Sequence, residues 1–310
     1  MRKIYFMNIY PKKVLSIQEQ LQAYKNAGMI IDSDDEVLDA LNTIGYYRLR
    51  GYSFPFYDRN NKKYKDNTKF SDILNIYYFD REFSELIFSM LSKIEVALRV
   101  RFLDSLLSIY NDPLILYNPS IFFDKQNYWE NLSIISSEIV RSNDLFIKHH
   151  LDNHDGQIPV WAIVEILSFG TLSKIIKNIK IGKDSVFGLI SENYKFKTKT
   201  NKFCKPSLFM FSSWIHSCCI LRNIVAHNSR VYDRHFFTYP EIIDIDKIPN
   251  VKFYGVYFVI LAMKYLRPND ETWNLFFENL KKLIEKYSFY IDLKRISFPL
   301  DWEKHLDIRL

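Results

Sequence analysis

The chain has 310 residues, 48% hydrophobic and 25% charged, with a formal net charge of +6. That balance excludes a disordered polypeptide and suits one large or two ordinary domains. Aromatics reach 16% against only 8 glycines, which argues against barrels and sandwiches and for helices packed on helices.

The first residues, MRKIYFMNIYPKK, are basic, but their apolar stretch is too short and broken for a signal peptide. Ser16 to about Ala27 is expected to be a short helix, with Ser16 as N-cap, Glu19 at the capping-box position and Gly28 as the stop. A second helix starts near Asp34 and places Val37, Leu38, Leu41 and Ile44 on one face. In GYYRLRGYSFPFYD (45–58), aromatics alternate with Arg48 and Arg50, and 57–64 reads as a small hairpin or irregular loop.

From Ser71 a helical pattern runs for forty residues without Gly or Pro. Ile87, Leu91, Ile94, Leu98 and Phe102 form its apolar stripe, a break near Phe79–Asp80 could divide it, and Asn111-Asp112-Pro113 stops it. A helix is predicted from Asn127 to about Val140. Another spans 159–170, opened by Pro159 and closed at Gly170, and a further one begins at Thr171 or Ser173. Residues 194–205 read as a lysine-rich linker, and Pro206 opens a long apolar helix ended by Asn228-Ser229. Two more helices follow at about 251–266 and 270–287, then an irregular tail. No repeat is visible. The reading is all-α, a single mostly helical domain: an N-terminal extension over about 1–67, a core over about 68–290 and a tail over 291–310.

No stretch reaches ~18 uncharged apolar residues, so no membrane span is expected. Cys204, Cys218 and Cys219 make a poor disulfide framework, and an adjacent pair lacks zinc-site spacing; a reducing, cytoplasmic setting fits both. In HHLDNHD (149–155), His150 and His154 are four apart, but no second ligand pair accompanies them, and a surface loop or helix end is the simpler reading.

The long apolar helix ends in LRNIVAHNSRVYDR (221–234), where Arg222, Asn223 and His227 fall within two turns. Asn223 and His227, four apart, share a helix face, while Arg222 lies about 140° from His227 and must swing round. These groups suit RNA cleavage by its own 2′-hydroxyl. Histidine moves protons near neutral pH, arginine holds the phosphate with a planar fork, and asparagine orients the imidazole or bonds a phosphate oxygen. No metal or cofactor is called for, because the substrate supplies the nucleophile. The bland alternative is an arginine paired with an acid and a histidine satisfied at a helix C-terminus.

The R-x4-H spacing resembles the signature of HEPN ribonucleases, and the surrounding chain resembles the Abi family of bacterial abortive-infection proteins, in its AbiD/AbiF-like branch. The resemblance rests on LNTIGYYRLRGYSFPF (41–56), TKFSDILNIYYFDREF (68–83), KIEVALRVRF (93–102), PVWAIVEILSFGTLSKI (159–175) and LRNIVAHNSRVYDR (221–234), in that order, with ISFPLDWEKH (296–305) at the end. It implies a HEPN-like helical bundle and a toxin-like role in phage defence. A single motif per chain further implies a homodimer with a composite site. RNA is the implied substrate, and a structured noncoding RNA or an antitoxin-type protein is an implied partner.

Supporting residues are read with two meanings each. Glu95 and Arg99, acid first and four apart, form either an intrahelical structural pair or a carboxylate relay to Arg222 or His227. Glu165, the lone acid in VWAIVEILSF, has Arg99 or Arg222 as expected partner. Arg230 either extends a phosphate surface or pairs with an acid such as Asp233. His216, seven residues before Asn223, reads as a satisfied core histidine. Arg48 and the lysines Lys195, Lys197, Lys199, Lys202 and Lys205 are the RNA-contact candidates, against solvated surface as the bland reading. The function expected is a metal-independent endoribonuclease of phage defence. Its rival is a non-catalytic RNA-binding or protein-interaction module on the same scaffold.

Overall fold

A computed structural model describes residues 13–179, 186–249 and 253–309. Their secondary structure is thirteen α-helices, several short 3-10 turns and two two-stranded antiparallel hairpins, so the chain is all-α. Two compact units are distinguished. The smaller comprises the described residues up to Arg81 together with Glu285–Ile291; the larger comprises Glu82–Ile284 and the residues from Asp292 onward.

In the smaller unit α1 (Ile17–Asn26) starts as its sequence dictates: the Ser16 hydroxyl accepts from the Glu19 N–H, and Glu19 returns the bond to the Ser16 N–H at 2.8 Å. Helix α2 (Asp34–Thr43) buries Val37, Ala40 and Leu41. The aromatic stretch after Gly45 folds as α3 (Tyr46–Ser53), a helix the interleaved arginines and aromatics had obscured. Strands β1 (Tyr57–Asp58) and β2 (Lys63–Tyr64) form a hairpin, which decides between the hairpin and the irregular loop read at 57–64. Most aromatics here are structural. Tyr24 packs on Tyr46, Tyr64 and Phe70, and the Arg50 guanidinium sits 4.4 Å from the Tyr57 ring centre. Tyr52 donates to the fully buried Asp80 carboxylate at 2.6 Å, and Arg81 donates to the same oxygen at 2.8 Å.

Helix α4 (Phe70–Ile109) runs unbroken through Phe79–Asp80, so no division occurs there. Asp80 does not break the helix because its carboxylate is held by Tyr52 and Arg81. In the larger unit follow α5 (Lys125–Arg141), α6 (Leu145–Asn153), α7 (Val160–Ile166), α8 (Phe169–Asn178) and α9 (Val186–Glu192). The 159–170 helix is shorter than its pattern suggests. It ends at Leu167, because Ser168 turns outward and caps the next helix through the Thr171 N–H, so Gly170 lies inside α8. The lysine-rich linker is a hairpin, β3 (Phe196–Lys197) with β4 (Phe203–Cys204), closed by Asn201 at φ +59°.

Helix α10 (Leu208–Ala226) packs extensively on α11 (Val256–Leu266), which is buried along its whole length. Helices α12 (Asp270–Tyr287) and α13 (Trp302–Leu306) follow, so the tail carries a short helix of its own. Gly255 leads into α11 where a side chain has no room: a Cβ would fall 2.7 Å from the Ile296 carbonyl. The interior also holds an ion pair. Lys264 reaches Asp246 at 2.9 Å, and Tyr265 donates to the same carboxylate at 2.5 Å. Burial would raise the Asp246 carboxyl, but His305, Lys264 and Tyr265 together hold it below the usual carboxylate range. By length and composition alone α10 could cross a membrane; here Phe211, Trp214, Ile215, Cys218, Leu221 and Val225 are buried inside the larger unit.

Candidate functional site

The site lies in the larger unit, where two amphipathic helices each break their own pattern. On α10 the buried positions 211, 215 and 218 recur at spacings of three and four, and the next position on that stripe is Arg222. On α4 the stripe 87, 91, 94, 98, 102 carries Glu95 four residues after Leu91 and three before Leu98. A charge on an apolar stripe must find a partner or leave the interior. These two find each other: Arg222 Nε lies 3.5 Å from Glu95 Oε2. The geometry is that of an ion pair rather than a hydrogen bond, so Nε, itself buried, has no hydrogen-bond acceptor. The Arg222 side chain is nevertheless 30% exposed, so its outer nitrogens are the part that solvent reaches. One of them, Nη1, points to Asn223 Oδ1 at 3.4 Å.

Glu95 is shared. Its other oxygen accepts from Arg99 Nη2 at 2.5 Å, closing the expected pair one turn along α4. Arg99 also donates to the carbonyls of Val164, Glu165 and Leu167 at 2.9, 2.6 and 2.7 Å. Those carbonyls form the C-terminus of α7, which lacks donors of its own. Arg99 is thus a helix cap that fixes Glu95, and Glu95 in turn fixes Arg222. The pair is the intrahelical one expected, and the same carboxylate also faces Arg222. The Glu165 side chain is exposed, with Oε2 4.0 Å from Arg99, and its firmer contribution is its backbone carbonyl.

His227 is the C-cap of α10, not a residue of its last turn. Asn228 at φ +50° and the bonds Asn228 N–H to Val225 O and Ser229 N–H to Ile224 O, both 3.0 Å, form a Schellman termination. The His227 ring is exposed and makes no hydrogen bond among the described residues, so no bond joins it to Asn223. Asn223 is exposed as well and serves the arginine instead. The bland expectation is met for the arginine, which pairs with an acid, but not for the histidine, which sits at the helix end without a side-chain partner among the described residues. What it leaves unexplained is why the outer guanidinium, the amide and the imidazole are all left facing water.

Beyond the cap the chain turns at Val231–Asp233, and Arg234 Nε donates to the Arg230 carbonyl at 2.6 Å. Asp233 is salt-bridged to Arg295 at 3.2 Å. Arg230 stays half-buried beside the cap. His216, read as a core residue, is exposed; partial burial and then Lys177 lower its basicity. Cys219, which the sequence raises only for disulfide and zinc chemistry, lies one turn before Arg222. Burial, and next the Glu95 carboxylate, push its thiol up to about 12, so it stays protonated and is no nucleophile. Its spacing of three from Arg222 was the available signal.

The RNA-contact candidates are dispersed. Lys195, Lys197, Lys199 and Lys202 are all exposed on the β3–β4 hairpin, with Lys197 5.9 Å from the exposed Phe203 ring centre. Lys205 is tied to Glu192 at 2.9 Å. Arg48 is exposed on α3 of the smaller unit, beside Tyr47. At the end of α6, His149 and His154 meet at 3.3 Å between Nε2 atoms on an exposed helix end. Among the described residues no group of three His, Cys, Asp or Glu side chains is arranged to hold a metal ion.

Among curated proteins and among solved structures no match is found. The family model described as Abi-like protein matches residues 39–233, a span that contains Arg48, Glu95, Arg99, Glu165 and the whole of Arg222–His227. The chain belongs to the Abi-like protein family.

Proposed function

We propose that this protein is a metal-independent endoribonuclease of phage defence, which cuts RNA with the RNA's own 2′-hydroxyl. Membership of the Abi-like family points to abortive infection as the setting. The observation that carries the chemistry is the Glu95–Arg222 pair at 3.5 Å: a buried carboxylate holds the inner edge of a guanidinium whose outer edge stays open beside Asn223 and the α10 cap. Its outer nitrogens reach solvent, with only Nη1 pointing to Asn223 Oδ1 at 3.4 Å. The guanidinium keeps a fork in reserve for a phosphate.

In the reaction His227, as base, takes the 2′-hydroxyl proton while the 2′-oxygen attacks phosphorus. The bond to the 5′-oxygen then breaks, a 2′,3′-cyclic phosphate forms, and the leaving oxygen takes a proton from an imidazolium. Arg222 stabilises the negative charge on the phosphoryl oxygens. His227 lies five positions after Arg222, about 7.5 Å of helix rise and 140° of rotation. One chain therefore does not aim both groups at one phosphate, and two copies meeting at this helix end would. A homodimeric composite site is part of the proposal. It is supported by Val96 and Val100, 60% and 53% exposed, one residue on from Glu95 and Arg99. RNA is the substrate, and an antitoxin-type protein or a structured RNA would restrain the enzyme.

The test is the chemistry of the ends. Cleavage that survives EDTA and leaves a cyclic or 3′-phosphate with a 5′-hydroxyl supports the reading. Products with a 5′-phosphate, or activity restored only by magnesium, would replace it with metal hydrolysis.

A further inference from the structure

Helices α5 and α8 enclose a groove of about 180 Å³, lined by Phe123, Asn127, Asn131, Lys174, Lys177 and Asn178. The lining holds two cations and no acid. Its polar groups divide into used and unused. Asn178 is used: Oδ1 accepts from the Asp124 N–H and Nδ2 donates to the Asp124 carbonyl, both at 2.9 Å, latching the start of α5 to the end of α8. Asn127 spends its Nδ2 on the Asp124 carboxylate at 2.5 Å. Asn131 differs. It is only 5% exposed, lines the groove, and makes no side-chain hydrogen bond among the described residues. Its amide faces the groove, where donor and acceptor are both available to a hydrogen-bonding ligand.

Phe123 supplies the other half of the observation. Its ring is 70% exposed, yet its backbone is fixed, since the Phe123 N–H donates to the Asn178 carbonyl at 3.0 Å beside the Phe122–Ile179 bridge. An exposed ring on an anchored backbone offers a face on which a base can stack. Lys174 and Lys177 lie three apart on α8, so they share one side of that helix. Lys177 further acts electrostatically on His216 and Cys219 of α10, the helix that carries Arg222. The groove is below the ~300 Å³ of a drug-sized pocket, which suits one flat heterocycle rather than a larger ligand.

We infer that this groove is a nucleotide subsite for single-stranded RNA, with a base stacked on Phe123, its polar edge read by Asn131, and the adjoining phosphates held by Lys174 and Lys177. The inference rests on the ribonuclease reading and adds to it where the strand lies beyond the scissile bond.

The test uses the full chain carrying His227→Ala, so that RNA is bound without being cut, and fluorescence anisotropy with two probes. One is a short labelled oligoadenylate; the other is an abasic ribose-phosphate oligomer of equal length. Phe123→Ala is expected to weaken oligoadenylate binding about ten-fold, the scale of one lost stacking contact, and to leave the abasic probe unchanged. Asn131→Ala should act the same way, and Phe123, being exposed, keeps the test valid should the Asn131 variant lose helicity. Lys177→Ala should weaken both probes and flatten the salt dependence. Equal binding of the two probes, or parental binding by Phe123→Ala, overturns the subsite and leaves only a basic patch. If the chain cuts RNA but the groove variants bind as the parent does, the subsite falls and the cleavage reading stands. If the chain binds no RNA at all, both fall.

Discussion

Glu95 and Arg222 lie on different helices, 127 positions apart in sequence, and meet at 3.5 Å on the buried faces of both. The carboxylate is the hinge of the site because its second oxygen is bound to Arg99. Glu95→Gln keeps volume and hydrogen bonding and removes the charge that two guanidinium groups share. The expected loss of stability is about 1–2 kcal/mol, less than for a fully buried pair, since Arg222 is partly exposed and Arg99 keeps three carbonyl acceptors. RNA cleavage should fall at least ten-fold because the fork is no longer aimed. Urea unfolding and a cleavage time course on the same preparation measure the two effects. A variant with parental stability and parental rate would show that Glu95 organises nothing.

Arg99 carries a separate expectation. It donates to three carbonyls at the end of α7, so Arg99→Met should expose unsatisfied acceptors there and cost about 2–4 kcal/mol. Arg99→Lys should recover only part, because an ammonium cannot span three carbonyls and a carboxylate at once. Hydrogen exchange should report faster exchange over residues 160–167 in both variants. Unchanged exchange in that segment would argue that α7 is held by other means.

The Asp246 cluster sets a pH dependence. Its carboxyl is held below the usual range, so the folded state binds fewer protons than the unfolded chain as pH falls through about 4. The stabilisation is therefore complete above the unfolded carboxyl value and is lost as pH drops through the folded one. Asp246→Asn should remove this acid-side loss and, by leaving Lys264 buried without its counter-charge, lower stability near pH 7 by about 3–5 kcal/mol. Denaturant midpoints at pH 7 and pH 3 for parent and variant decide it: the gap between the two proteins must narrow at pH 3.

Local signals were legible where one residue type had one reason to be present. Ser16 with Glu19, Pro206 before α10 and Asn228 after it could each be read because capping is a nearest-neighbour matter. The α3 helix was not, since Tyr46–Ser53 owes its form to rings packed from elsewhere in the chain, such as Tyr24 on Tyr46. The hairpin at 196–204 hid behind its lysines, which stay in solvent and leave no alternating apolar face. At the site, the spacing in Arg222–His227 was visible, and so was the placement of charges on apolar stripes. Which acid would meet Arg222 was not: Glu95 and Glu165 are equivalent in sequence, and only the fold makes one buried and the other exposed. That Asn223 bonds its neighbour Arg222 was not legible either, because a spacing of four suggests His227 as the partner while His227 is the cap of the helix.

Assembly gives a further expectation. If two α10 ends must meet to bring an arginine and a histidine to one phosphate, the protein should dimerise through a surface that includes Val96 and Val100, burying more than ~1,000 Å² in total. Val96→Glu with Val100→Glu should give a folded monomer by light scattering, with cleavage lost. A monomer that cuts RNA at the parental rate would remove the composite site and require one chain to supply both groups.

The last prediction separates chemistry from binding at the motif. His227 is exposed and makes no hydrogen bond among the described residues, so His227→Ala should leave stability within about 0.5 kcal/mol of the parent. It should nevertheless reduce cleavage by ~10² or more, the scale of a lost general acid or base, with RNA affinity almost unchanged. Arg222→Ala differs on every count. It strips Glu95 of a partner, which costs stability, and it removes the phosphate fork, which weakens RNA binding as well as slowing cleavage. Arg222→Lys should restore part of the stability and little of the rate, because the ammonium keeps the charge near Glu95 but cannot bond it and a phosphate along two edges. Circular dichroism and dimer state would be checked first, then binding and cleavage measured on one RNA. If folded His227→Ala cut RNA at the parental rate, the imidazole would have no part in proton transfer. Arg222–His227 would then be what their single-chain geometry alone suggests, an ion pair and a helix cap.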